Sequence, residues 1–288
     1  MLLEVKNLKT QFFNDVGDIA CTCVNETSFE IQKGKTVCIV GESGSGKSMT
    51  SLSIMGLVEE PGRVTGGEVL FEGKDLLKQN ETSMRSIRGK DIAMIFQEPM
   101  TSLNPSYTVG YQIDEVLRLH KKELNKTQRK QKVIELFELV GMPLPADKYN
   151  EYPFKLSGGQ RQRVMIAMAM ACEPKLLIAD EPTTALDVTI QAQVLELMNE
   201  LQAKKGTSIL FITHDLGVVA QMADEVIVMY KGNVVEQASV EDLFENPRHP
   251  YTKALLNSIP RPGKVKRKSR LDTVDENINY LDFPKEIR

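Results

Sequence analysis

The stretch Gly41-Glu42-Ser43-Gly44-Ser45-Gly46-Lys47-Ser48 determines how the rest of this chain is interpreted. It fits the pattern G-x-x-x-x-G-K-[ST], in which glycines let the backbone close around a phosphate group where a Cβ would collide. An apolar run over residues 36–40 leads into it, and a helix-forming run over 49–56, starting at Met49, follows it. This context matters because the free N–H groups at the start of the helix then face the anion. We therefore predict a phosphate-binding site rather than a chance Gly/Ser-rich turn.

Two side chains of this loop have predicted roles of their own. Lys47 should reach the β- and γ-phosphates of a nucleoside triphosphate, and Ser48 should bind its Mg²⁺ ion. Upstream of the loop, Phe12 and Phe13 follow a run of alternating apolar and polar residues. An exposed aromatic ring just before such a loop can stack on a purine base. We expect Phe12 to do so; the alternative is that both rings belong to the core.

Composition limits the classes of protein that this chain can represent. Its 288 residues are 41% hydrophobic and 26% charged, which is typical of a globular protein with one large or two small domains. The net charge of −3 gives no reason to expect nucleic-acid binding. Cys21 and Cys23 lack a second pair at zinc-site spacing, whereas Cys38 and Cys172 lie in apolar segments and are expected in the core. We find neither a signal peptide nor an apolar run that could span a bilayer, so we expect a cytosolic protein.

A polar amide ends one of the apolar segments. Residues 92–96 indicate a strand that is buried on both faces, and Gln97 follows it. Pro99 disfavours a helix at this point, which predicts a loop. An amide at the end of a buried strand beside a phosphate loop can bind Mg²⁺ and orient water. The alternative for Gln97 is a surface amide whose hydrogen bonds are satisfied locally.

Charged and titratable residues end two further apolar segments. The run 175–179 leads to Asp180, which suits Mg²⁺ coordination, and to Glu181, which suits polarising or deprotonating water. The run 208–213 ends at His214, which we expect to contact the γ-phosphate rather than only cap a helix. Parallel strands that alternate with helices and carry ligands at their carboxyl ends predict an α/β nucleotide-binding domain.

The segment Ser157-Gly158-Gly159-Gln160 predicts a second helix start that binds an anion. Ser157 is a good N-cap, and the glycines leave backbone N–H groups accessible at the start of a helix predicted over 160–172. The segment is physically similar to the phosphate loop but lacks a lysine. One domain rarely carries two such sites for one phosphate chain. We therefore expect this segment to serve a nucleotide that is held mainly by another subunit.

The remaining patterns give the predicted organisation. Residues 28–40 and 226–236 are each predicted to form a hairpin-like pair of strands. Helical spacing predicts a helical subdomain inserted at about 105–172, whose basic stretch we interpret as a solvated helical face. Residues 1–258 then form one nucleotide-binding domain. The segment 259–288 is predicted to be a flexible tail, with contact to anionic lipid or RNA as the alternative for its basic residues.

The loop, the glutamine, Leu-Ser-Gly-Gly-Gln, Asp-Glu and the histidine occur in this order over about residues 2–240, and they resemble the motifs of the ATP-binding-cassette ATPases. The resemblance implies an α/β P-loop cassette with a mixed sheet core, an antiparallel β subdomain and a helical subdomain. It also implies a head-to-tail dimer that holds two ATP molecules. Each ATP would lie between the loop of one subunit and the Leu-Ser-Gly-Gly-Gln segment of the other, with its adenine stacked on Phe12.

The same resemblance implies roles for individual residues. Glu181 would be the general base, Asp180 a magnesium residue, and His214 the switch that senses the γ-phosphate. Gln97 would be both a magnesium ligand and the sensor that couples hydrolysis to a partner. Asp187 would communicate between the two sites across the dimer.

Three segments carry a finer resemblance: FQEPMTSLNP at 96–105, DEPTTALDVTIQAQ at 180–193 and His249-Pro250-Tyr251-Thr252. They look like the oligopeptide, dipeptide and nickel importer branch. This implies an ATPase at the cytoplasmic face of the membrane, beneath two permease subunits and beside a second, paralogous ATPase, with an extracellular binding protein delivering the cargo. The helical insertion and the loop at Gln97 would receive a permease helix. Many members carry a cysteine cluster for an iron–sulfur centre after the His-Pro-Tyr motif, but no cysteine follows Cys172 here.

Several rival functions stay open at this point. Peptide cargo is the first prediction and a nickel or metallophore cargo is the alternative, because the binding protein and permeases choose the cargo. A soluble cassette ATPase of DNA repair would carry a long coiled coil, yet only about 110 residues separate Lys47 from Leu156. Translation-type members carry two cassettes in one chain, whereas this sequence contains one. An exporter ATPase would differ in the finer motifs. A regulatory, non-catalytic cassette is disfavoured because no catalytic motif here is degenerate.

Overall fold

The structure, a computed structural model, describes residues 1–97, 102–184, 186–258, 274–275 and 277–287. The chain forms two compact units. The first unit comprises Met1–Ile31, Thr36–Leu77 and Ile212–Arg288, and the second comprises Gln32–Lys35 and Lys78–Phe211. The predicted phosphate loop therefore belongs to the first unit. The Asp-Glu pair and the Ser-Gly-Gly-Gln segment belong to the second.

The described residues form strands and helices that alternate along most of the chain. The strands are β1 (Leu3–Phe13), β2 (Ile19–Ile31), β3 (Thr36–Val40), β4 (Gly62–Phe71), β5 (Lys74–Asp75), β6 (Ile92–Ile95), β7 (Leu176–Asp180), β8 (Ser208–Ile212), β9 (Glu225–Tyr230), β10 (Asn233–Ser239) and β11 (Glu286–Ile287). The helices are α1 (Lys47–Met55), α2 (Glu81–Ile87), α3 (Val109–His120), α4 (Lys126–Leu139), α5 (Pro145–Lys148), α6 (Gly158–Met170), α7 (Val188–Lys205), α8 (Leu216–Met222), α9 (Val240–Glu245) and α10 (Pro250–Asn257).

The first unit contains an antiparallel sheet in the order β2-β1-β4-β5. Leu3 and Val5 of β1 are buried on one face, and a register shift between Val5 and Leu8 lets Leu8 be buried as well. The predicted hairpin at 28–40 is wrong, because β2 pairs with β1, where Ile31 lies opposite Leu3, and not with β3. All five residues of β3 are buried, which is typical of a strand inside a sheet covered on both faces, and β3 pairs in parallel with β9.

The same unit contains a mixed group of strands in the order β11-β10-β9-β3. Strand β3 runs parallel to β9, and β9 forms the predicted antiparallel hairpin with β10. Strand β11, at the end of the chain, pairs in parallel with β10. The prediction of a flexible tail is therefore wrong for 277–287, where Tyr280 is buried in an aromatic cluster. The basic residues between 261 and 270 lie outside the described residues.

The second unit joins the predicted helical insertion to three strands in the order β8-β7-β6. Helices α3 and α4 lie within the segment predicted to be helical, and they pack on each other and on α6. These helices and strands share one core in the second unit, and the bounds of about 105–172 for a helical subdomain stay a prediction. In the basic stretch, Arg129 does not face solvent freely; its Nε donates to Asp114 Oδ1 at 2.8 Å across the α3–α4 contact. Over the part of the chain that the structure describes, no helix has the length and apolar character needed to cross a membrane.

Candidate functional site

The phosphate loop connects β3 to α1 and has the backbone that its glycines predict. Gly41 has φ 152° and Gly46 has φ 101°, both in the region that side chains with a Cβ rarely adopt. A Cβ on Gly41 would collide with the carbonyl oxygen of Met229, and one on Gly46 with that of Cys23. The loop therefore passes so close to the surrounding backbone that only glycine fits at these two positions.

Lys47 is held inside the loop by carbonyl groups. Its Nζ donates to the carbonyl oxygens of Gly41 and Glu42, each at 2.8 Å, and lies 3.5 Å from Ser45 Oγ. The side chain is buried, whereas Glu42, Ser43 and Gly44 are exposed. The ammonium thus lies within a curved, accessible backbone segment, which is an arrangement that fits a polyphosphate. Ser48, in the first turn of α1, is half-buried.

The two candidate aromatic rings near the loop have different surroundings. The ring of Phe13 lies under the guanidinium of Arg63, whose Cζ is 4.4 Å from the ring centroid. The ring of Phe12 packs against Gly62, and both phenylalanines are half-buried. Because one face of Phe13 is covered by a cation, Phe12 is the better candidate for stacking on a base. Its role stays a prediction.

His214 is exposed and lies close to the strand that enters the phosphate loop. The N–H of Thr213, the preceding residue, donates to the carbonyl oxygen of Ile39 in β3 at 3.2 Å. The N-cap of α8 is Asp215, whose carboxylate accepts from the N–H of Gly217 at 2.8 Å. His214 is therefore not the N-cap of that helix, and the capping alternative does not explain it.

In the second unit, the ends of two parallel strands bring Gln97 and Glu181 together. Strands β6 and β7 are paired with Ile95 opposite Ala179, so the residues that follow them are neighbours. Gln97 Nε2 donates to Glu181 Oε2 at 3.1 Å. Asp180 is buried at the last position of β7, and Glu181 is partly exposed just after it. Both residues therefore lie at the carboxyl ends of two paired parallel strands.

The carboxylate of Glu181 has a second donor that the sequence did not reveal. Thr184 Oγ1 donates to the same oxygen, Oε2, at 2.9 Å. Glu181 also has φ 47°, an uncommon conformation for a non-glycine residue that is often found at functional sites. The sequence signal that could have predicted this contact is the position of the Thr184 hydroxyl, three residues after the carboxylate. Together, the amide and the hydroxyl fix the orientation of one carboxylate oxygen.

The Ser-Gly-Gly-Gln segment forms the start of α6, as predicted. Ser157 Oγ accepts from the N–H of Gln160, and Gln160 Oε1 accepts from the N–H of Ser157, each at 3.3 Å, which makes a complete capping box. Gly158 is exposed, and a Cβ on it would meet nothing within 4 Å. The N-terminus of this helix is therefore open to an anion.

Asp187 lies at a helix start next to this segment. It is the N-cap of α7, where its Oδ1 accepts from the N–H of Ile190 at 3.0 Å. A Cβ on Gly159 would come within 2.7 Å of Ile190 Cγ2, so the first turns of α6 and α7 are in contact. The structure thus brings Asp187 close to the Ser-Gly-Gly-Gln segment. Its role across a dimer stays a prediction.

The chemistry of these side chains fits the predicted cofactor. Ser48, Gln97 and Asp180 supply hydroxyl, amide and carboxylate oxygens, which are the ligand types that Mg²⁺ prefers. Among the described residues, no three or more His, Cys, Asp or Glu side chains cluster as an all-protein metal site would require. That Ser48 of the first unit binds one Mg²⁺ ion together with Gln97 and Asp180 of the second unit stays a prediction.

Comparison with known families and proteins agrees with this geometry. The family model described as ABC transporter matches residues 24–184, and a model of the oligopeptide/dipeptide transporter C-terminal region matches residues 235–283. The chain therefore belongs to the ABC transporter family. Within it, the chain is 57% identical over 260 residues to the oligopeptide transport ATP-binding protein OppD of Bacillus subtilis (strain 168), covering 90% of this chain and 72% of that protein. It is 51% identical over 267 residues to the dipeptide transport ATP-binding protein DppD of Escherichia coli (strain K12), covering 93% and 81%.

Solved structures confirm the predicted fold class. The ATP-binding cassette MJ0796, in a dimeric post-hydrolysis state bound to ADP and Pi, matches with a TM-score of 0.73 and 26% identity, covering 83% of this chain and 99% of that one. CbiO1 of Clostridium perfringens, part of the ABC transporter complex cbiONQ, matches with a TM-score of 0.71 and 26% identity, covering 85% and 91%. The α/β P-loop cassette predicted from the sequence is therefore confirmed.

Proposed function

We propose that this chain binds and hydrolyses ATP to energise a membrane importer, and that the cargo is di- or oligopeptides. The observation that carries the ATPase part is the carboxylate of Glu181, which Gln97 and Thr184 hold at the end of a buried strand in a chain of the ABC transporter family. The peptide part is supported by the relatives, which are oligopeptide and dipeptide transport ATP-binding proteins at 50% identity or more.

In this proposal, each of the site residues has a separate role in ATP hydrolysis. The phosphate loop and Lys47 bind the phosphates, and the ammonium of Lys47 offsets the charge that develops on them. Glu181 accepts the proton of the attacking water, while its hydrogen bonds from Gln97 and Thr184 keep the accepting carboxylate oriented. His214 contacts the γ-phosphate. Ser48, Gln97 and Asp180 would hold Mg²⁺, which neutralises phosphate charge when bound.

A second cassette completes each site in this proposal. The open helix start at Ser157-Gly158-Gly159-Gln160 would bind the γ-phosphate of ATP held by the loop of a partner cassette, and Asp187 beside it would link the two sites. The dimeric cassette MJ0796 supports this arrangement. The partner in this proposal is a second, paralogous ATPase. ATP-driven closure of the pair would move the two attached permeases, to which an extracellular binding protein brings the cargo.

Exposed aromatic side chains of the second unit support contact with a permease. Tyr107 stacks on Tyr111 with centroids 5.1 Å apart, and Tyr152 stacks on Phe154 at 5.5 Å. All four rings are exposed, and Phe154 is 65% exposed. The two pairs lie on adjoining segments, because the N–H of Val109 donates to the carbonyl of Glu151 at 2.9 Å. Apolar surface of this kind marks a protein interface, which would place the chain at the cytoplasmic face of the membrane.

The experiment that tests this proposal traps the complete transporter. Glu181→Gln should keep MgATP binding and lower kcat by about 100-fold or more, because it removes the general base. The tagged variant, captured from membranes in MgATP, should co-purify with two permeases, a second cassette and a binding protein, which mass spectrometry identifies. Glu196→Gln, at an exposed position on α7, is the matched control and should keep full ATPase activity.

Each part of the proposal can fail separately. Full activity of Glu181→Gln would contradict the assigned base. Recovery with ribosomes or DNA in the soluble fraction would leave the ATPase standing and reject transport. Co-purification with a nickel- or metallophore-binding protein would change only the cargo.

A further inference from the structure

A buried phenol reaches the phosphate loop from outside the loop's own pattern. Tyr251, at the start of α10, is fully buried. The N–H of Glu42 donates to Tyr251 Oη at 3.1 Å, and this hydroxyl donates to Glu42 Oε2 at 3.4 Å. Burial raises the pKa of the phenol, which therefore stays protonated and able to donate. Since Lys47 Nζ donates to the carbonyl of Glu42, the loop is held at this residue from both sides.

The backbone of Tyr251 is fixed by a buried carboxylate on β10. Glu236 is fully buried, and its two oxygens accept from the N–H groups of Arg248 and His249, each at 3.0 Å. His249 Nδ1 in turn accepts from the N–H of Tyr251 at 3.2 Å. This chain of hydrogen bonds anchors the start of α10 to the sheet. The position of the phenol therefore does not depend on the ring contacts alone.

The end of the chain closes the surroundings of the ring. The centroid of Tyr251 is 4.7 Å from that of Tyr230 and 5.3 Å from that of Tyr280. Tyr280 is buried, and the hydroxyl of Tyr230 donates to the carbonyl oxygen of Ile278 at 3.5 Å. Strand β11 secures this segment through its pairing with β10. Residues 277–287 thus pack against a side chain that contacts the nucleotide loop.

The same strand that carries Tyr230 also contacts the loop at its other end. The N–H of Gly232, in the turn after β9, donates to the carbonyl oxygen of Ser45 at 2.9 Å. The carbonyl of Met229 lies against Gly41. The loop is therefore bounded by β9 at Gly41 and Ser45 and by Tyr251 at Glu42. Only the last of these contacts uses a side chain outside the phosphate-loop motif.

We propose that Tyr251 is a positioning residue for the phosphate loop, and that the aromatic cluster with Tyr280 keeps it in place. It holds Glu42 so that the loop has its binding shape before ATP arrives, which raises affinity because less ordering is needed on binding. The inference rests on the proposed binding of ATP at this loop. Its effect is on ATP affinity and not on kcat, because a preformed loop favours bound ATP and the transition state equally.

The test compares two phenol-to-phenyl substitutions in the same cluster. Tyr251→Phe removes only the hydroxyl that contacts Glu42, and Tyr230→Phe removes a hydroxyl whose partner is the carbonyl of Ile278. For the purified full chain, we expect Tyr251→Phe to raise the Kd and KM for ATP about three- to tenfold, the size of one net hydrogen bond, with kcat within about twofold. Tyr230→Phe should leave all three values within about twofold. Hydrogen exchange of the peptide spanning 41–46 should be faster in Tyr251→Phe than in wild type without nucleotide.

The outcomes separate this inference from the proposed function. Wild type that binds ATP, together with Tyr251→Phe of unchanged Kd and loop exchange, would overturn the inference alone, even if the melting temperature fell. A lowered kcat at unchanged Kd would also overturn it. If wild type binds no ATP, the proposed function fails and the inference fails with it. Should Tyr251→Phe not fold, Tyr280→Leu loosens the ring from the chain end and should likewise raise Kd while keeping kcat.

Discussion

At the scale of single residues, two side chains donate hydrogen bonds to one carboxylate oxygen of Glu181 and so hold it in place. Gln97 and Thr184 both donate to Oε2, at 3.1 and 2.9 Å. A general base is effective only when it is oriented toward the proton that it removes. The sequence identified Glu181 and Gln97 but not Thr184, because the short spacing alone does not reveal the positive φ of Glu181, the conformation in which the threonine hydroxyl reaches the carboxylate.

Removing the hydroxyl of Thr184 should slow hydrolysis without weakening ATP binding. We expect Thr184→Ala to lower kcat about two- to tenfold, the size of one net hydrogen bond, with the Kd for ATP within about twofold. Steady-state ATPase assays and nucleotide titrations measure these values. Thr184→Ser keeps the hydroxyl and should keep the activity. If Thr184→Ala is as active as wild type, Gln97 alone is sufficient to orient the carboxylate.

The role proposed for Lys47 belongs to the other step, the binding of the phosphates. Its buried ammonium donates to two loop carbonyls, so its removal takes away both a charge for the phosphates and a support of the loop. We expect Lys47→Ala to raise the Kd for ATP at least about tenfold, as the loss of a charge-assisted hydrogen bond predicts. Titration with a fluorescent ATP analogue tests this. Lys74→Ala, exposed on β5, should bind like wild type, and an unchanged Kd for Lys47→Ala would contradict the assigned role.

At the scale of elements, the start of α10 depends on a neutral histidine. His249 Nδ1 accepts a hydrogen bond, which a protonated ring cannot do. Burial lowers the pKa of His249 below its ordinary value of 6.5, and this outweighs the nearby carboxylates of Glu236 and Glu286. The folded chain therefore binds fewer protons here than the unfolded chain. This contribution to stability is present above pH 6.5 and is lost as the pH falls through 6.5 toward the lower folded-state pKa.

We accordingly expect the free energy of unfolding to decrease between pH 7.5 and pH 5.5, and His249→Asn to reduce this decrease. Asparagine can still cap the helix but does not titrate. His120, whose pKa is also lowered by burial and by Lys90, accounts for a further part, so the double variant with His120→Asn should have the smallest pH dependence. Urea unfolding at several pH values measures the effect. An identical pH dependence in wild type and His249→Asn would exclude this role.

At the scale of the whole molecule, we expect that one substitution can abolish transport and leave ATP hydrolysis intact. The exposed rings of Tyr152 and Phe154 contact each other and lie beside the start of α3. If they contact a permease, Phe154→Ala should keep basal ATPase activity within about twofold but lose co-purification with permeases and peptide uptake, because a buried aromatic anchor dominates such interfaces. Leu119→Ala, at a position 60% exposed on α3, is the matched control and should transport normally. Normal uptake by Phe154→Ala would place the permease contact elsewhere.

The elements that local chemistry specifies were predictable, and those that depend on distant partners were not. The helical segment that contains α3 and the cap Ser157 follow from periodicity and capping chemistry within a few residues. The prediction that β2 and β3 form a hairpin is wrong because β2 pairs with β1, where Leu3 lies opposite Ile31 and far from it in the sequence. Alternation of apolar and polar residues predicts a strand but not which strand it pairs with. The end of the chain was mistaken for a tail, since no periodicity marks a segment that is held by one aromatic residue and a two-residue strand.

The sequence by itself determined the phosphate loop and the roles expected of Lys47 and Glu181, which rest on residue types at fixed short spacings where the backbone geometry follows from the residues themselves. The cassette class and the importer branch came from the resemblance of its separated motifs to a known family. Only the tertiary structure decided that Gln97 donates to the carboxylate of Glu181, which is 84 residues further along the chain, and that Tyr251 contacts Glu42, which is 209 residues away. The physical reason is that a hydrogen bond between distant residues exists only after strands and helices have packed, and no local pattern records that packing.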